Sequence, residues 1–227
     1  MAWQGSPKLP LADSQRHGAG CELFLVEGES AAGAVAAVRS AATQAVLPLQ
    51  GKPLNAWRAS PARVAAFPWY AQLADALGLP SPTVGDALDP GALRFERLVL
   101  LFDPDADGIH IGALVLLYLQ RFAPALMAQQ RVWMVRAPMA GLRVAARHTG
   151  ETEDVWAYTP EQAHQLRERA AAQTEHWAVL RDWAFRGLAS LPPDVLRTTC
   201  VDHASRHAAA VTPAQVQAVI DVFGGTG

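Results

Sequence analysis

Three aspartates, Asp103, Asp105 and Asp107, alternate with Pro104 and Ala106 directly after an apolar run in the stretch LVLLFDPDADGIHI. In an extended backbone side chains two apart leave on the same side, so this spacing predicts three carboxylates in one small volume. Such charges repel unless a cation neutralises them or protonation removes them. A divalent cation fits best. Oxygen donors with no Cys or His at ligand spacing select a hard ion, Mg²⁺ or Mn²⁺, over zinc. The string D-x-D-x-D-G also opens a calcium-binding EF-hand loop, but that loop follows a helix and carries a Glu at its twelfth position. Here the twelfth position is Leu114 and a strand precedes, which sets the EF-hand aside. A solvated acidic turn closing a strand is the plainer alternative.

The acidic cluster needs elements that present it. Residues 98–102 have the length and apolar content of a fully buried strand. Residues 21–26 (CELFLV) predict another, which Glu27-Gly28-Glu29-Ser30 ends before an Ala-rich helix over 31–42. Gly28 is expected at the turn and Ser30 at the helix N-cap. Glu27 then stands at the carboxyl end of a strand, the edge where open α/β sheets bind ligands. Residues 44–49 predict a further strand, followed by a turn whose Lys52 can meet a phosphate or stay solvated. A helical segment over 62–79 is interrupted by Pro68 and ended by Gly78 and Pro80. After a surface loop at 81–91 and the acidic strand come a helical run over 109–129 and a strand over 131–135. The order β-α-β-α-β-α-β predicts an α/β fold, a mainly parallel sheet flanked by helices, with Glu27 and the three aspartates on one edge.

From Gly141 the pattern changes. Strand-like pieces at 142–146 and 154–158 precede a helix opened by Thr159 as cap and Pro160 at its first position. Residues 180–191 resist assignment, and 192–225 read as helical with breaks. His203 and His207 are four apart but lack the Glu of H-E-x-x-H, and are expected on a solvated helical face. The expected division is an irregular leader at 1–20, an α/β domain at 21–140 and a small, reduced α+β tail at 141–227.

Composition narrows the setting. A chain of 227 residues with 51% hydrophobic and 18% charged residues is globular. Its net charge of -2 provides no bulk attraction to nucleic acid, so DNA contact must come from a local patch, a metal or a partner. Cys21 and Cys200 form no CxxC, which implies neither zinc nor a disulfide framework, and a reducing cytoplasm is expected. No run reaches the roughly 18 apolar residues of a membrane span.

Read in order, CELFLVEGESAAG, QAVLPLQGKPLNAWRA, RFERLVLLFDPDADGIHI and RVWMVRAP each resemble a motif of the Toprim region in the B subunit of bacterial type IIA topoisomerases, DNA gyrase and topoisomerase IV. VWAYTPEQ and FRGLASLPPDVLRTTCVDHASR resemble the adjoining tail motifs more loosely. The resemblance implies a Toprim sheet that holds Mg²⁺ beside the scissile phosphate of DNA while a tyrosine of a partner A-type subunit attacks it. By position, Glu27 matches the family's glutamate, tied to the first metal and to proton transfer at the leaving 3′-oxygen. Asp103 and Asp105 match metal-binding aspartates, and Asp107 matches the third, linked to a second metal position. Lys52 matches a position close to DNA, and His110 a residue beside the acidic cluster. None of Tyr70, Tyr118 and Tyr158 lies in a segment resembling the nucleophile region of the A-type subunit.

Departures qualify the match. The family's B-type subunit has an N-terminal ATPase region, whereas this sequence opens where Toprim opens and carries no Walker motif; ATP is not expected to bind this chain, and a separate ATPase subunit is one candidate partner. Glu29 and Pro104 replace the family's usual Asp and Ala, and RGLASL replaces KGLGEM. Two rival expectations remain: a freestanding metal-dependent Toprim nuclease, and a non-catalytic truncated paralogue that binds A-type subunits or DNA.

Overall fold

Strand β1 (Gly18–Glu27) forms the centre of the architecture, because Leu23, Phe24, Leu25 and Val26 are all fully buried. Cys21, Leu23 and Leu25 enter one core, while Phe24 and Val26 enter another on the opposite face. Burial of both faces is what a parallel sheet between two helical layers requires. The computed structural model describes residues 11–79 and 93–225, so the loop expected at 81–91 lies outside the described residues.

β1 pairs in parallel with β2 (Gln44–Leu49) on one side and β3 (Phe95–Leu100) on the other. β4 (Val132–Val135) extends the sheet in parallel, and β8 (Ala208–Ala210) closes it in antiparallel, giving the order β2-β1-β3-β4-β8. One face is covered by α2 (Pro61–Ala65), α3 (Pro68–Leu77), α4 (Ala106–Phe122), α5 (Pro124–Ala128) and α8 (Pro213–Val219). Inside that layer the rings of Tyr70 and Tyr118 stack at 4.2 Å and 7°. The other face holds α1 (Gly28–Val38), α7 (Pro193–Leu196) and the π-helical turn Arg197–Val201. A second, antiparallel sheet of β5 (Ala140–Ala146), β6 (Thr152–Ala157) and β7 (Trp177–Ala184), ordered β6-β5-β7, packs through Ala140 and Ala157 on Ala163 of α6 (Pro160–Ala172). As the sequence predicts, Thr159 caps α6, accepting the Gln162 N–H, with Pro160 in the first turn. No helix among the described residues is long and apolar enough to cross a membrane.

Several expectations change. The expected irregular leader contains regular structure: Ala12 bridges Val46 and β1 already starts at Gly18. Ser30 is not the N-cap of α1, which begins at Gly28 (φ +75°) with Glu27 in the cap position. The helical run over 109–129 starts earlier, at Ala106, and breaks at Ala123 because Pro124 cannot continue it. His203 lies in a turn and His207 just before β8, not on a helical face.

The tail does not form one unit. Leu188, Leu191, Val195 and Leu196 share a core with Phe24, Val26 and Val99, and β8 joins the first sheet. Arg206 anchors that return by donating from Nη1 and Nη2 to the two carboxylate oxygens of Glu22 at 2.7 and 2.5 Å.

Candidate functional site

The connection from β1 leads to β2 on one side, and β3 then enters on the other, so the topological switch falls between β1 and β3. Ligands of open α/β sheets settle outside the carboxyl ends at such a point. Glu27 ends β1. The register pairs Leu25 with Leu100, and the Leu101 N–H donates to the Leu25 carbonyl at 3.0 Å, setting Asp103 just beyond the same edge.

Asp103 is half-buried, and its Oδ1 accepts the Leu188 N–H at 2.8 Å. A Cβ at Gly187 would lie 2.7 Å from its Oδ2, so the segment before Leu188 approaches this carboxylate only because a side chain is missing. Gly108 serves the same end on the other flank, since a Cβ there would lie 2.1 Å from the Asp103 carbonyl oxygen. The first turn of α4 can therefore press against the backbone of Asp103.

Asp105 is the N-cap of α4, its Oδ1 accepting the Gly108 N–H at 2.8 Å. Asp107 lies in the first turn of the helix, exposed, 2.7 Å from Nζ of Lys52. The three aspartates thus do not leave one extended strand on one side. The helix starts at Ala106 and rotates Asp107 away, because an Asp side chain stabilises a helix start by capping it. His110, one turn on, stacks against Phe223 at 5.2 Å and 19°. Behind the acidic loop a cavity of about 630 Å³ is walled by Phe102, Ile109, Met134, Tyr158 and Phe223.

The electrostatics separate these groups. Burial pushes the Glu27 carboxyl above its ordinary pKa, and the charges of Asp103, Asp105 and Asp107 add to the rise while Lys52 opposes it. Burial also raises Asp103; the Leu188 N–H works against that, and Asp105 adds to it. Asp107 is held below the usual range by the hydrogen bond and charge of Lys52. Among the described residues no three His, Cys, Asp or Glu side chains converge closely enough to cage a metal. Mg²⁺ does not need a cage, since it is commonly held by one or two carboxylates with water and phosphate oxygens completing its octahedron. Glu27 and Asp103, hard donors whose charge repulsion Lys52 and the Leu188 N–H offset only in part, fit that requirement.

Sequence reasoning missed Gly187 and Leu188. They sit in the stretch that resists assignment, and the one available signal is the loose likeness of FRGLAS to a family tail motif.

Residues 22–137 match the Toprim domain. Over 203 residues the chain is 30% identical to the B subunit of DNA gyrase from Thermotoga maritima, covering 89% of this chain and 30% of that one. It is 31% identical over 191 residues to the B subunit of DNA topoisomerase 4 from Haemophilus influenzae, covering 84% of this chain and 28% of that one. The B subunit of the type 2 topoisomerase from Aquifex aeolicus is 37% identical over 130 residues, 57% of this chain and 16% of that protein. The chain spans less than a third of the length of these relatives. It belongs to the Toprim family, and it is similar over most of its length to B subunits of DNA gyrase and DNA topoisomerase 4.

Proposed function

We propose that this chain is the Mg²⁺-holding module of a type IIA topoisomerase, acting on DNA with an A-type subunit that carries the nucleophilic tyrosine. One observation carries the reading: two half-buried carboxylates, Glu27 and Asp103, stand at adjacent strand ends with raised pKa and with acids as neighbours. Glu27 and Asp103 would hold the ion, with Asp105 beside them as the cap of α4 and Asp107 toward a second position. When bound, a hard divalent cation stabilises charge developing on phosphate oxygens. Glu27 keeps its proton to higher pH than an ordinary carboxyl, which suits proton transfer at the leaving 3′-oxygen. Asp103 is oriented by the Leu188 N–H, and Lys52 and His110 face the DNA. Tyr70 and Tyr118 are buried, and burial pushes the Tyr118 hydroxyl up to about 12, which supports a nucleophile from outside this chain. The thiols of Cys21 and Cys200 are free and buried, in keeping with a reducing cytoplasm.

Mixing the chain with a cognate A-type subunit, Mg²⁺ and supercoiled plasmid, then trapping with denaturant, tests this. Covalent DNA is expected on the A-type subunit and never on this chain. Linear, protein-free DNA made by the chain alone would support the nuclease reading, and no cleavage with any partner the non-catalytic paralogue.

A further inference from the structure

Lys52 and Asp107 form a 2.7 Å ion pair between the segment after β2 and the first turn of α4. The backbone that follows Lys52 is pinned from Leu54 to Ala59. At the far end of α4, Arg121 Nη1 reaches the carbonyl oxygens of Ala56, Trp57 and Ala59 at 2.5, 2.9 and 2.7 Å. The Tyr70 hydroxyl donates to the Leu54 carbonyl from within the core. Asn55 Nδ2 and Arg58 Nε donate to the carbonyls of Phe223 and Gly224 at 3.0 and 3.1 Å. The helix start beneath is fixed as well, by the Asp105 cap. An ammonium group is thus held over the outer rim of the acidic edge, and its charge reaches Glu27 as well as Asp107.

Resting on the proposed function, which assigns a cation to the acidic edge and a DNA phosphate to Lys52, we propose that the Lys52–Asp107 pair couples the two binding events. At rest the ammonium occupies the outer face of the acidic edge. A cation arriving at Asp107 must displace Lys52, and a phosphate arriving at Lys52 must draw it off Asp107. Whichever comes first leaves the other group free. The coupling is reciprocal, so metal tightens DNA binding by the same factor as DNA tightens metal binding. Because both side chains stand largely in water, with exposures of 49% and 63%, the pair-specific factor is modest, about two- to five-fold.

Mn²⁺ binding by the full chain, read from the spin-resonance signal of free ion, and duplex binding, read by fluorescence anisotropy at fixed ionic strength, test this without any turnover. Lys52→Met is expected to tighten Mn²⁺ about two- to five-fold in the absence of DNA, and Asp107→Asn to tighten metal-free duplex binding to a similar extent. Introducing Lys52→Met into the Asp107→Asn background should then change Mn²⁺ affinity by less, because only the charge felt at Glu27 is left to remove. If wild type binds no Mn²⁺, the proposed function and the coupling fall together. If wild type binds Mn²⁺ and Asp103→Asn abolishes it, the reading of the site stands. In that case, a Lys52→Met effect that is absent, or equal in both backgrounds, overturns the coupling alone.

Discussion

Glu22 and Glu27 lie on the same strand, yet the less buried of the two has the more perturbed role. Glu22, with a side chain 5% exposed, meets a guanidinium that is itself 1% exposed, and Gln44 Nε2 adds a hydrogen bond at 3.0 Å. Burial alone would push its carboxyl up, but the hydrogen bonds and charge of Arg206 outweigh burial and hold it below the usual range. Glu27 is half-buried and shifts the other way, because burial and three nearby carboxylates outweigh the opposing charge of Lys52. The depth of an acid therefore says little about its task until its counter-charge is found. The middle of β1, at Glu22, is closed by the chain's own cation and ties the returning tail to the sheet. Its carboxyl end sits at the switch point, where Lys52 offsets the acids only in part and, on the proposed reading, a divalent cation completes the balance.

The largest expected effect breaks the matched site. Glu22→Gln leaves the buried Arg206 charge without its partner, and such a loss typically costs about 3–5 kcal/mol. Urea unfolding should show it as a lower midpoint at unchanged slope, with DNA cleavage per folded molecule unaffected. The pH dependence follows in sign. A carboxyl whose folded pKa is depressed contributes its stability above the unfolded value, here 4.5, and loses it as pH falls through the folded value. The gap between wild type and Glu22→Gln should thus be full above about pH 4.5 and shrink in more acidic buffer. A gap independent of pH would assign the effect to packing and remove the contrast.

The unmatched site should respond in the opposite sense. Glu27→Gln keeps the shape of the side chain but removes a charge that three neighbouring acids repel, so stability should stay level or rise. Cleavage should fall about 10²-fold or more, the usual consequence of deleting a proton-transfer or charge-stabilising group. Denaturant-trapped covalent complex, normalised to folded chain, gives the first number and urea unfolding the second. Undiminished cleavage would sink the role given to Glu27. A stability loss as large as that of Glu22→Gln would dissolve the difference between the two sites.

The unmatched site was much more legible in sequence than the matched one, and the reason is range. Glu27 and Asp103 each close a short apolar strand, and strand ends announce themselves in a few neighbouring residues. The α/β order follows from the same local signals, while the crossover rules make the adjacency of the two strands plausible without proving it. The exact fan of the aspartates did not, because Asp105 serves equally well in an extended turn or as a helix cap, and the choice depends on Gly108 pressing against Asp103. Glu22 gave no sign at all. Its partner is Arg206, far along the chain in a turn, delivered by β8, and a strand of three alanines at a sheet edge has none of the β-branched or aromatic residues that mark strands. Gly187 was hidden for a similar reason, since its requirement comes from a carboxylate that only tertiary folding brings near.

That glycine permits the smallest and most discriminating test. Gly187 has an extended backbone with φ of 161°, so alanine introduces no conformational strain there. Its Cβ would nonetheless stand 2.7 Å from Oδ2 and 3.1 Å from Cγ of Asp103, and the carboxylate would have to turn away from the Leu188 N–H that orients it. Displacing a group that orients a metal ligand commonly weakens affinity by 10–100-fold, and a single methyl belongs near about 10-fold. Stability should barely change, because the loss of one hydrogen bond is offset by the reduced freedom of the unfolded chain. Gly33→Ala is the matched control: it lies in α1 with nothing within 4 Å of a new Cβ, and should stabilise by up to about 1 kcal/mol while leaving Mn²⁺ affinity unchanged. Mn²⁺ titration of the two variants separates orientation of Asp103 from any general effect of filling a glycine. Equal affinities in Gly187→Ala, Gly33→Ala and wild type would mean that the geometry imposed on Asp103 by the tail is not what the cation uses.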